Sequence, residues 1–102
     1  MKTYVVLRRS CWPSVDDWRE AAKQAESAIE WAPDDVRWLC SYLVAEPDGS
    51  SGTVCVYQAT SPEAVRAHAA RAGLPVDEIV TVAETLVVEP AIGLPPRSTA
   101  AA

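Results

Sequence analysis

One histidine, three cysteines, three tyrosines and four tryptophans are the residues from which a site in this chain would be built. His68 falls between Val65 and Ala72 on the inward face of a helical repeat, so its ring should reach the space beneath that helix. An imidazole there can be a hydrogen-bonded core residue, a general base or a metal ligand. Cys11 and Trp12 follow the end of a strand pattern, where a pocket commonly opens, and Cys55 and Tyr57 share a strand face by their spacing of two. A histidine near a thiol can generate thiolate, or the pair can hold a soft metal ion. The pocket candidates are therefore His68, Cys11, Tyr57 and Trp12, with His68 and Cys11 as the candidate metal ligands.

Packing offers a second reading of each. Cys40 and Cys55 sit in strand patterns, where a free cysteine behaves as a small hydrophobe, whereas Cys11, in a loop, is the least explained by packing. Trp12, Trp18, Trp31 and Trp38 could line an aromatic cavity, and core or dimer-interface packing accounts for them equally well. Asp16-Asp17 and Asp34-Asp35 stand at element starts, where capping and dipole effects explain paired carboxylates. No CxxC pair, Gly-rich phosphate loop, HExxH, GxSxG or EF-hand pattern occurs.

Charge and composition narrow the classes. Fourteen acidic against nine basic residues give a net charge of −5, which disfavours nucleic acid as a partner. Arg8-Arg9 is the only basic doublet and reads as a solvated strand end, with an anion site as the alternative. No run approaches the roughly 18 apolar residues of a membrane span, and arginines interrupt the N-terminal apolar stretch, so no membrane partner and no secretory signal are expected. Three widely spaced cysteines suit reduced thiols, hence a cytoplasmic location.

The elements that must position these residues follow from period and punctuation. Residues 3–9 read as a strand that Ser10-Cys11-Trp12-Pro13 breaks. Ser14 caps a helix from about Val15 to Trp31. Residues 36–44 and 53–58 are strands joined through Pro47-Asp48-Gly49-Ser50-Ser51-Gly52 as an antiparallel hairpin. Ser61-Pro62 opens a second helix that Gly73 closes, and residues 77–82, with Thr85–Val88 as a continuation or further strand, complete the set. The order βαββαβ is the ferredoxin-like arrangement: an α+β domain over 1–90, with a four-stranded antiparallel sheet, both helices on one face and a mobile tail over 91–102. Strand 36–44 shows Trp38, Cys40, Tyr42 and Val44 on one side and Leu39 and Leu43 on the other. Two helices cover one sheet face only, so a homodimer packed sheet to sheet is expected.

Ser10–Pro13, Pro33–Trp38, Gly52–Ala59, Ser61–His68, Arg71–Pro75 and Asp77–Ile79 together resemble the domain-of-unknown-function family 4242, over about Tyr4 to Glu89. That resemblance implies a dimeric ferredoxin-like α/β barrel, one branch being described as nickel-binding, with His68 as the ligand carried over by motif and nickel or another divalent metal as the cofactor. Three functions remain in view. The first is a small dimeric binding protein for a metal ion or small molecule. The second is a cofactor-independent isomerase, cyclase or monooxygenase with His68 as base and Tyr57 orienting substrate. The third is an interaction module without a pocket.

Overall fold

The computed structural model describes residues 1–89, and the expected tail over 91–102 lies outside them. Its elements are β1 (Lys2–Trp12), α1 (Val15–Ile29), β2 (Val36–Ala45), β3 (Ser51–Ala59), α2 (Pro62–Ala72) and β4 (Glu78–Thr81). They form a four-stranded antiparallel sheet in the order β2-β3-β1-β4 beneath two helices, which is the ferredoxin-like α+β fold.

Local chemistry sets the helix ends. The Ser14 hydroxyl accepts the Asp17 N–H at 3.2 Å, and Ser61 accepts the Ala64 N–H at 3.1 Å with Pro62 next in the chain. α2 ends at Gly73, whose left-handed backbone (φ 70°) suits a residue without Cβ. α1 stops at Ile29, two residues short of the expected Trp31, which stands 78% exposed in the following turn.

Alternation along the strands sorts the two faces. Tyr4 and Val6 of β1 and Cys55, Tyr57 and Ala59 of β3 are buried beneath the helices, with Val36 and Val65. A second layer joins Ala25 and Ala28 of α1 to Ala72, with Trp38 and Leu74 packed against it. In β2 the expected alternation fails at one point. A register shift between Trp38 and Cys40 leaves Leu39 outside the ladder, so Trp38 pairs with Tyr57 and Ser41 with Cys55 on the helix side. Cys40 and Tyr42 then pair with Val56 and Val54 on the opposite side. One inserted residue reverses the facing of everything beyond it, which separates Trp38 from Cys40, Tyr42 and Val44.

The opposite face carries Val5, Leu7, Val54, Val56, Tyr42, Val44 and Val80, half-buried or exposed, with no helix over it among the described residues. Thr85–Val88 forms no strand, contrary to the sequence reading, and Leu86, Val87 and Val88 are 85%, 67% and 82% exposed. Their β-prone composition has no neighbouring strand to pair with in the described chain.

Candidate functional site

The helix-side alternation of β1 runs Tyr4, Val6, Arg8, so the third inward position is a guanidinium. Arg8 is 1% exposed, which corrects its reading as a solvated strand end: the period of two continues through it while Arg9 turns outward. Its Nε donates to the Pro75 carbonyl at 2.6 Å and one terminal nitrogen to Cys55 Sγ at 3.4 Å. The other terminal nitrogen, Nη2, is buried without a partner among the described residues. The left-handed turn at Gly73 brings Pro75 back over β1 and so supplies the carbonyl.

The two carboxylates nearest this strand end are committed elsewhere. Glu46 takes a two-pronged contact from Arg9, 2.9 Å to each oxygen, and the Ser10 N–H at 2.8 Å. The Arg9 hydrogen bond is the main reason its carboxyl lies below the usual carboxylate range. Asp77 accepts the Arg9 backbone N–H. These contacts hold the irregular stretch between Arg8 and Trp12, where Ser10 adopts a left-handed φ of 50°. Cys11 and Trp12 are thereby kept within β1 instead of the loop expected from Ser10–Pro13.

His68 is 1% exposed on the inward face of α2, as its spacing predicts, with its ring edge-on to Tyr57 at 5.3 Å between centroids. Neither ring nitrogen has a hydrogen-bond partner among the described residues. Burial, then Arg8, then Arg71 push its pKa down to about 4, so the ring is neutral at pH 7. Tyr57 stacks toward Trp38 at 6.3 Å, and burial followed by Cys55 raises its phenol to about 12, against the pull of Arg8. A relay joins these groups: Trp38 Nε1 donates to Ser41 Oγ at 2.7 Å, which donates to Cys55 Sγ at 2.9 Å, the sulfur that also faces Arg8.

Above this polar floor lies a narrow cleft between the sheet and α1, lined by Arg8, Cys55, Tyr57, Trp12, Trp18 and Trp38 among others. Its internal room is about 10 Å³, on the order of one water molecule. Ala21, Ala22 and Ala25 form the α1 wall, where larger side chains would close it. Three of the four tryptophans meet here; Trp31 does not.

The sequence-derived candidates divide accordingly. Tyr57 and Trp12 line the cleft and His68 adjoins it through Tyr57. Cys11 stands apart, its Sγ directed at the Arg9 carbonyl at 3.4 Å and its thiol pKa raised, first by burial and then by Asp77. A raised pKa is the opposite of what an activated thiolate requires. Sequence reasoning missed Ser41 and gave Arg8 a site role only as the alternative to a solvated strand end; for Arg8 the inward parity of Tyr4 and Val6 was the available signal.

Residues 4–82 match the family described as nickel responsive protein SCO4226-like. The chain belongs to this family. The resemblance to family 4242, with its nickel-binding branch, is consistent with that membership under another description. Among solved structures, that of SCO4226 from Streptomyces coelicolor A3(2) superposes with a TM-score of 0.64 at 24% identity, over 82% of this chain and 99% of that one. At that identity the likeness speaks to the fold. No curated protein sequence matches the chain.

Nickel responsiveness as the family description directs attention to a metal, and the residues around His68 do not fit one. Arg8 places a fixed positive charge beside the imidazole, and no group of three or more His, Cys, Asp or Glu side chains among the described residues is arranged to hold an ion. Cys11, the second expected ligand, makes its contact on β1 itself, away from the His68–Tyr57 pair.

Proposed function

We propose that this member of a nickel-responsive family is a small homodimeric binding protein whose ligand is a small molecule held between the sheet and α1. One observation carries the reading: on the helix side of the sheet four buried side-chain polar atoms (Arg8 Nη2, Thr53 Oγ1, His68 Nδ1 and His68 Nε2) have no partner among the described residues. Each such group costs on the order of 1–3 kcal/mol, which the polar atoms of a ligand would return. Arg8 lines the tryptophan-lined cleft, Thr53 pairs with Arg8 in the ladder and His68 adjoins the cleft through Tyr57, so these groups stand where a ligand would meet them once the cleft, now the size of one water molecule, widens to admit it. Catalysis has less support, since among the described residues the neutral His68 ring has no partner to orient it and Cys11 has no base beside it.

The test uses the indole N–H resonances of ¹⁵N-labelled protein against a panel of small aromatic and aliphatic molecules. Saturable shifts at Trp12, Trp18 and Trp38, with Trp31 unmoved, are the expected result. A panel in which nothing perturbs those three indoles would sink the reading.

Dimerisation is the second part of the proposal. The apolar sheet face and the exposed Leu86–Val88 segment favour a second copy as their cover, because both present β-type apolar surface of the kind like chains bury together. Light scattering at micromolar concentration is expected to give twice the monomer mass of 11.0 kDa. A monomer at 100 µM would remove the dimer. Nickel is expected to leave the His68 imidazole signals unshifted at one equivalent; selective broadening of that ring would restore His68 as a ligand.

A further inference from the structure

We infer that residues 85–88 form an exchanged strand, hydrogen-bonded along the open edge of β2 in a second copy of the chain. The inference rests on the homodimer proposed above and names the contact that closes it. Thr85, Leu86, Val87 and Val88 lie past residues 4–82, the part that matches the family, and the last three are 85%, 67% and 82% exposed. An apolar run of strand-forming type therefore stands in water.

The sheet order β2-β3-β1-β4 leaves two edges. β4 is four residues long, and shortness is itself a defence against stray pairing. β2 runs for ten residues and carries no lysine, glutamate or proline, the kinds of residue that blunt an edge; Arg37 is its one charge. Past the slip at Leu39, residues 40–45 stay in unbroken register with β3, so their outward N–H and C=O groups form a regular row that no described strand meets. Tyr42, 43% exposed, stands on the bare sheet face at that edge, so the row continues the surface offered to a second copy.

Reach decides which copy is paired. The two edges lie three inter-strand spacings apart, about 14 Å. The Val82 N–H is tied to the Thr3 carbonyl at 2.9 Å, and the links from Val82 to Thr85 span at most about 11 Å. Residues 85–88 thus cannot lie alongside the β2 of their own chain. In a two-fold pair each copy lends its segment to the other, and one operation covers both apolar runs and both open edges.

The test is an isotope-filtered NOE measurement on the full chain, with labelled and unlabelled protein equilibrated together. Contacts between backbone protons of residues 85–88 in one copy and β2 in the other are expected, with alternate amides of the segment exchanging about 100-fold more slowly than in an open chain. Leu86→Pro combined with Val87→Pro removes an amide of each parity from a segment that is exposed in a single copy, and is expected to raise the dimer dissociation constant about tenfold or more. A dimer without these contacts, or with residues 85–88 touching β4 alone, would overturn the exchange and leave the dimer standing. An unchanged dissociation constant in the double variant would also overturn it. The filtered contacts decide even should that variant not fold, and a monomer by light scattering would bring down the dimer and the exchange together.

Discussion

Between pH 7 and pH 4 the protein is expected to lose roughly 3 kcal/mol of stability through His68 alone. The ring takes up a proton near 6.5 when the chain is unfolded and only at about 4 when it lies between Tyr57 and the helix, with Arg8 nearby. Above 6.5 both states are neutral there and the stability is complete. As pH falls below that value the unfolded chain binds a proton the folded chain refuses, so stability declines until the folded ring itself titrates near 4, and then levels. Each unit of separation is worth about 1.4 kcal/mol, which gives the figure above. Urea melts at pH 7, 5.5 and 4 would measure it, with His68→Phe as the comparison. That variant keeps the edge contact with Tyr57, removes two unpartnered nitrogens and should flatten the slope between pH 6.5 and 4. Carboxylates such as Glu46, whose pKa is lowered chiefly by Arg9, add their own acid loss in both proteins and cancel in the difference. Parallel pH profiles for the two proteins would show that His68 does not titrate as described.

Gly52→Ala is expected to cost about 3 kcal/mol, near the upper end for overpacking. A Cβ at Gly52 would overlap the Arg8 carbonyl oxygen and approach Glu46 Oε2 to 2.9 Å and the Arg9 Cα to 3.3 Å. The first of these is backbone in a paired strand and cannot swing aside as a side-chain end could. Relief requires β1 and β3 to separate where Arg8 pairs with Thr53, so the change should also disturb the surroundings of Arg8. Thermal denaturation would show a fall of roughly 10 °C or more, given about 4–8 °C per kcal/mol for a domain of this length. An unchanged melting temperature would mean that the strands give way more easily than the close approach implies. Gly49 and Gly73 are different: added carbon there meets nothing, and their cost would come from left-handed backbones at φ 88° and 70°.

The local chemistry of the chain determined much of this architecture. Ser14 and Ser61 are caps wherever they precede these helices, Gly73 terminates α2 by its own backbone freedom, and the Val65, His68, Ala69, Ala72 spacing places the histidine inward. These features depend on neighbours within about four residues, which is why the order βαββαβ and the inward His68 were legible from the sequence. Arg8, Leu39 and Thr85–Val88 depended on partners far away in the chain. Parity in β1 points Arg8 at the helices, yet only the closure of Gly73–Pro75 over the strand and the commitment of Glu46 to Arg9 and Ser10 make it a buried, uncompensated charge. The slip at Leu39 is set by how β2 meets β3, and it places Trp38 above Tyr57 while sending Tyr42 to the other face. Thr85–Val88 has every mark of a strand except a neighbour to pair with in the described chain. Strand propensity is a property of residues, whereas a strand is a property of pairs, and the cleft at Arg8 exists only because the pairing put those particular residues together.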